Sequence, residues 1–210
     1  MSIKALKRVL AVTMAATLMV TPVIAGATDS SSSSSSESTV TTEEASAVVT
    51  TSQVVAGGTV VKNELPGAFA VAPSSPVSGV AVRQTANTIK QAAGLASNQT
   101  PFVKAYTVDS KKSPAVFASF NAAAAQVGGT VLGGLNVDLG ALTGGKFTEL
   151  PAGVSVPVTI GIKNYDANAT YYVVKVLPGG AIEMVPVTVE NGKLTFNITG
   201  GLAGYGIIKK

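Results

Sequence analysis

The chain has 210 residues, enough for one ordinary domain and a targeting segment, and it is 46% hydrophobic, 12% charged and 5% aromatic, with 22 Gly. It contains no His, Cys or Trp, which removes Ser-His-Asp and Cys-His nucleophiles, the usual zinc and soft-metal sites, and any disulfide. Of the formal net charge of +4, Lys4, Lys7 and Arg8 account for three, leaving 12 basic against 11 acidic residues and no basic stripe with interleaved aromatics of the kind that binds nucleic acid.

Residues 1–27 read as a secretory signal. Lys4, Lys7 and Arg8 form the basic start, residues 9–20 the apolar stretch, and Ala25-Gly26-Ala27 a small-residue cleavage site. The expectation is cleavage after Ala27, with a retained anchor as the alternative. The apolar stretch is short for a bilayer, and Thr13, Thr17 and Pro22 interrupt its surroundings. With no Cys there is no residue to acylate. Residues 28–53 read as a disordered linker: an unbroken Ser run at 30–36 is followed by Thr, Ser, Glu37, Glu43 and Glu44, too few apolar groups to offset the entropy of ordering. A spacer is the plain reading, and a glycosylated stalk the alternative.

Residues 54–152 are expected to form an α+β region. Val54-Val55 and Val60-Val61 flank Gly57-Gly58 as a short hairpin, residues 69–71 read as a strand, and Pro66, Pro73 and Pro76 keep elements short. Ile89, Ala92, Ala93 and Ala96 fall at helical spacing over 84–96, weakened by Gly94. Residues 102–108 alternate as a strand. Residues 113–127 carry the clearest helical pattern, with Ser113 as N-cap, Pro114 at the first helical position, Phe117, Phe120, Ala124 and Val127 on one face, and Gly128-Gly129 as the stop. Phe117 and Phe120 read as core rather than as ligand contacts. Strands are expected at 130–138 and 146–150 around a Gly-rich turn.

Residues 153–210 are expected to form a C-terminal β-module, joined to the first region or separate from it near Pro151. Residues 154–160 read as a strand that Pro157 demotes to an edge or a bulge. Tyr171 and its successors pair across Pro178-Gly179-Gly180, a three-residue loop that sets Lys175 opposite Glu183 and gathers Val174, Val176, Ile182 and Met184 on the other face. Such a cross-strand ion pair is worth about 0.2–1 kcal/mol, so it reads as a solvated strand pair rather than a catalytic one. Pro186 breaks the chain. Asn191-Gly192 then joins two alternating runs, pairing Glu190 with Lys193 and Val187 with Phe196, because a type I′ turn needs φ > 0 at both central residues. Residues 204–208 close the chain as a short strand.

This order of Pro-Val-Thr-Ile, Tyr-Tyr-Val-Val, a Gly turn, Asn-Gly, Leu-Thr-Phe and a closing Tyr205-Gly206-Ile207-Ile208 resembles the small β-module that ends secreted and cell-surface proteins of Gram-positive bacteria. The resemblance covers about 55 residues of the 210. It implies a non-catalytic surface or secreted module and supplies no site residue.

Several constellations fail on their own terms. Gly140, Gly145 and Lys146 fit a phosphate-binding loop until Phe147, which stands where Mg²⁺ needs Ser or Thr. Asn164, Asp166, Asn168 and Thr170 alternate as in a calcium loop, but Asp166 is the one carboxylate among them, and Ala169 and Lys175 stand where Gly and Glu belong. Ser110 and Ser113 beside Lys111 and Lys112 read as a solvated turn. Asp109, Asp138, Glu149 and Asp166 are the carboxylates from which a hydrolytic pair would have to be drawn, and Tyr165, Tyr171 and Tyr172 are the one aromatic cluster. Alternation points Tyr171 and Tyr172 to opposite faces.

The expected fold is α+β, mostly antiparallel β, with one or two helices packed on sheet and a C-terminal sandwich-like meander. The expected function is that of a secreted or cell-surface non-catalytic module acting by binding or as structure. A carboxylate-dependent hydrolase and a glycan-binding accessory domain are the alternatives. No residue is assigned a catalytic, cofactor-binding or metal-binding role. The expected partner is an extracellular protein or glycan, with no nucleic acid and no transmembrane span after processing.

Overall fold

The computed structural model describes residues 49–50 and 52–210. The expected signal at 1–27, with its expected cleavage at Ala27, and residues 28–48 of the expected linker lie outside these residues. In chain order the elements are β1 (Val49–Thr50), β2 (Gln53–Ala56), β3 (Thr59–Lys62), β4 (Gly67–Val71), β5 (Val77–Val82), α1 (Ala86–Ala92), β6 (Thr100–Thr107), α2 (Pro114–Val127), β7 (Thr130–Thr143), β8 (Lys146–Glu149), β9 (Ser155–Ile162), β10 (Tyr171–Val176), β11 (Ile182–Val185), β12 (Val187–Glu190), β13 (Lys193–Thr199) and β14 (Gly201–Lys209).

The fold is α+β and mostly antiparallel. A large sheet runs β1-β4-β6-β7-β14-β10-β11, with β8 taking over from β14 beside the far end of β7, and a small sheet runs β12-β13-β9-β5. The alternation that marks these strands fills the space between the sheets. Leu135, Val137 and Leu139 of β7 and Ala203, Tyr205 and Ile207 of β14 meet Val156, Val158 and Ile160 of β9 and Leu194, Phe196 and Ile198 of β13. Each fully buried side chain of this size contributes about 1.5–3 kcal/mol relative to exposure, so this interior is the main stabilising layer.

The second face of the large sheet is half covered. Helix α2 lays Phe120, Ala123 and Ala124 on Val174, Val176 and Ile208. The sheet beneath is built for that approach: a Cβ at Gly134 or Gly206 would stand 2.5 Å from the Phe120 ring. Among the described residues, the other half of that face, over β4, β6 and the far end of β7, carries no helix. The β2–β3 hairpin lies against the small sheet, where Gly79 and Gly161 leave room for Val54, which is wholly buried.

Both C-terminal hairpins have the expected registers: Lys175 pairs with Glu183, Val174 with Met184, Val187 with Phe196 and Glu190 with Lys193. Other expectations are corrected. The stretches 54–152 and 153–210 interleave in one compact unit, since β5 pairs β9 and β7 pairs β14. Strand order across a sheet is not set by order along the chain. The end of the stretch expected as linker is instead strand: Val49–Thr50 pair with β4, and Gln53 begins β2. Strand β9 is interior, not an edge. Its pairing with β5 begins at Val158, so Pro157 faces one neighbour only, at Asn197, and its missing N–H leaves no ladder bond unmade. Strand β7 continues past Asp138 to Thr143, with Gly144 and Gly145 at φ 56° and 80° making the turn. The closing strand β14 is nine residues long and central. Pro186 marks the point where the chain leaves one sheet for the other.

Candidate functional site

The uncovered half of the large sheet carries three transverse rows of side chains, fixed by strand register. Ala70, Tyr106, Asn136 and Gly204 form one row, and Ala68, Lys104, Asp138 and Leu202 the next. Phe102, Gly140 and Glu149 form the third. Neighbouring strands are about 4.8 Å apart, so side chains along a row touch.

Three of these side chains are locked together. The Asn136 amide donates to the Tyr106 hydroxyl at 2.7 Å and to Asp138 Oδ1 at 2.7 Å. A carboxylate accepts and cannot donate, which sets the amide with its nitrogen toward Asp138. Both amide hydrogens are thereby used, and among the described residues the Asn136 carbonyl oxygen and the Tyr106 hydroxyl hydrogen take no partner. Beside them the Lys104 ammonium sits 3.7 Å from the centroid of the Phe147 ring, a cation–π contact. Phe147 lies across Gly140 and meets Phe102 edge-on, with ring centroids 6.4 Å apart.

Asp138 is 9% exposed. Burial pushes its pKa above the ordinary carboxylate value; Lys104 opposes this, Glu149 adds to it, and the Asn136 bond lowers it. The Tyr106 phenol is likewise raised, first by burial and then by the Asp138 charge. Tyr106 therefore keeps its proton at neutral pH, while its hydroxyl oxygen accepts from Asn136.

The residues singled out from sequence are dispersed. Of the four carboxylates, Asp138 and Glu149 come near enough to influence one another. Asp109 closes the loop before α2, accepting from the backbone N–H groups of Lys111 and Lys112 at 2.8 and 3.1 Å, and Asp166 pairs with Lys209 at 3.0 Å. These contacts hold the pKa of both below the ordinary value: the backbone bonds do so at Asp109, and the Lys209 bond and then the Asn168 N–H at Asp166. Ser110 and Ser113 lie on the same exposed loop as Lys111 and Lys112. Gly140 is mid-strand and Gly144-Gly145 turn into β8, not into the helix a phosphate loop requires. Lys175 is a correction: it is 7% exposed, facing into the sandwich, and only its partner Glu183, 3.4 Å away, is solvated. Both faces of β10 are covered, so alternation had no solvent side to mark.

Tyr171 is buried between the sheets and stacks on Tyr165 at 5.3 Å, while Tyr172 packs toward α2. Phe117 and Phe120 meet at 5.4 Å in the α2 interface. Two open depressions flank Lys163. One, of about 610 Å³, lies between the β2–β3 turn and Asn191-Gly192; the other, of about 440 Å³, lies between Pro73 and Lys209. The Lys163 ammonium is spent on the Pro73 carbonyl at 2.8 Å, and the Ser78 hydroxyl beside the first depression is buried against Gly161.

Reading the sequence missed Lys104, Tyr106 and Asn136. Their signal is present but incomplete: Lys104 and Tyr106 alternate outward on one strand, and Asn136 and Asp138 on another. A connection that contains α2 carries no register information to bring the pairs together. Among the described residues no group of three or more His, Cys, Asp or Glu is placed to hold a metal, and no helix is long and apolar enough to cross a membrane. No protein-family model, curated protein or solved structure matches this chain.

Proposed function

We propose that this chain is an exported, non-catalytic module that acts by binding an extracellular ligand on the open half of its large sheet. One observation carries the reading. The uncovered face presents Tyr106, Asn136 and Asp138 in a fixed hydrogen-bonded chain, next to an aromatic pair capped by Lys104. Side chains held in place before a ligand arrives lose little entropy on binding. Export rests on the basic, apolar and small-residue segments of 1–27, and the Ser-rich tract after it would space the module from its point of release. The resemblance to surface β-modules points the same way.

The test has two parts. Fractionation of producing cells, with intact mass of the recovered protein, is expected to give a mass matching cleavage after Ala27 in the medium or on the surface. Full-length protein in the membrane fraction would replace the cleaved signal by a retained anchor, with the Ser-rich tract as its stalk. Protein recovered from the medium and added back to washed cells is expected to sediment with them, and the Tyr106→Ala, Lys104→Ala double variant to stay in the supernatant.

A second reading, carboxylate-dependent hydrolysis, is favoured by one feature: Asp138 has a raised pKa and Glu149 for a neighbour. It predicts turnover of a glycosidic substrate that Asp138→Asn abolishes, whereas the binding reading predicts retained binding in that variant.

A further inference from the structure

The open face also states what kind of ligand it fits, and this inference rests on the binding reading above. Tyr106 is 42% exposed, and its row neighbour on β4 is Ala70, too small to cover the ring. Phe147 offers no such surface, since Lys104 occupies its face and Phe102 its edge. The aromatic plane available to a ligand is therefore that of Tyr106. Beside it, the two amide hydrogens of Asn136 are consumed by Tyr106 and Asp138, which leaves an acceptor, the Asn136 carbonyl oxygen, next to a donor, the Tyr106 O–H.

Charge narrows the choice. Lys104 stands opposite Asp138 on the adjacent strand, and Glu149 lies in the next row. An anion would meet two carboxylates, and a cation would meet the Lys104 ammonium. A neutral ligand meets neither penalty. It needs an apolar face to lie on a phenol ring, and adjacent hydroxyls each able to donate and accept. The exposed groups, Tyr106 and Leu202, lie on different strands of one sheet face, a spread that suits an extended chain rather than an enclosed small molecule. Leu202, 40% exposed at the end of the Lys104 row, extends the apolar ground for a second unit.

We infer that this face binds a neutral polysaccharide, with one sugar ring stacked on Tyr106 and a vicinal pair of its hydroxyls bonded to the Tyr106 hydroxyl and the Asn136 carbonyl. Asp138 is a positioning residue: it fixes the Asn136 amide and does not itself need to touch the sugar.

The protein recovered from the medium is run in native gels containing a soluble β-glucan, a xylan or a galactomannan. Retardation is expected in at least one, with Tyr106→Ala about tenfold weaker, the loss of one stacked ring. Tyr106→Phe should fall between the two, because it keeps the ring and loses the hydroxyl. Thermal midpoints of both variants close to that of the parent exclude misfolding, as expected for an exposed side chain. No retardation by any of the three polysaccharides, or equal retardation of Tyr106→Ala, overturns the inference. The cell-sedimentation assay separates the two levels. Binding to cells that protease treatment abolishes and periodate oxidation of vicinal diols spares would leave the binding reading standing and replace the saccharide by a protein. Binding to neither cells nor polysaccharides would overturn both.

Discussion

Phe120 of α2 rests on Gly206 of β14: a Cβ at position 206 would stand 2.5 Å from Phe120 Cδ1 and 2.9 Å from Val174 Cγ1. The helix can lie this close because the central strands carry glycine where other strands carry a side chain. Gly206→Ala is expected to destabilise by about 1–3 kcal/mol, as overpacking does, and Phe120→Ala by about 3–5 kcal/mol. In urea unfolding the double variant should cost less than the two single changes combined, because removing the ring makes room for the new methyl. Strict additivity would mean that the ring and the glycine do not share one contact.

The Asn191-Gly192 turn holds both central residues at positive φ, 47° and 80°. Gly192→Ala should cost about 1–2 kcal/mol from backbone strain. Space adds to this, since the new methyl would lie 3.3 Å from Tyr165 Cβ. Gly58, at φ 72° in the β2–β3 turn, has nothing within 4 Å of its Cβ direction, so Gly58→Ala should be the milder change in the same thermal-unfolding assay.

Asp138 and Asp166 should leave opposite marks on the pH dependence of stability. Burial raises the folded-state pKa of Asp138, so its ionised form is penalised above that pKa, and the penalty disappears as pH falls below the unfolded value. Asp138→Asn, which can still accept from Asn136, is expected to raise the thermal midpoint at neutral pH, with the gain shrinking in acid. The Lys209 bond lowers Asp166, so its contribution is present above the ordinary carboxylate pKa and is lost as pH falls through the lowered value. Asp166→Asn should therefore lower the midpoint at neutral pH and converge with the parent in acid. Midpoints measured across that range check both signs.

Helix α2 begins without the cap its sequence advertises. Ser113 occupies the N-cap position, but its side chain makes no capping bond; Asp109 accepts from Lys111 and Lys112 and orders the approach instead. Ser113→Ala is expected to change stability by less than about 0.5 kcal/mol, against the ~1 kcal/mol of an ordinary cap. Asp109→Ala should destabilise more. Chemical denaturation of the two variants side by side decides it.

What could be read from the sequence follows from how each feature is specified. Asn191-Gly192 and Pro178-Gly179-Gly180 set register locally, so every pair across those turns was legible. Gly128, at φ 67°, likewise stopped α2 where expected. The position of β9 was not legible, because Pro157 sits in an interior strand at the one stretch with a single neighbour, a fact of β5's length rather than of Pro157. The burial of Lys175 was hidden for a related reason: β10 has a helix on one face and a sheet on the other, and period-two alternation reports two faces without saying whether either is wet. The open face was the least legible feature of all, since it exists only where β6 and β7 pair across the α2 connection.

Strand β14 lies between β7 and β10, and these two strands do not touch without it. Until residues 201–209 arrive, the large sheet is two fragments, and the glycine bed for α2 is half missing, since Gly204 and Gly206 belong to β14. A chain delivered from its N-terminus therefore cannot join the two fragments of its large sheet until residues 201–209 have arrived.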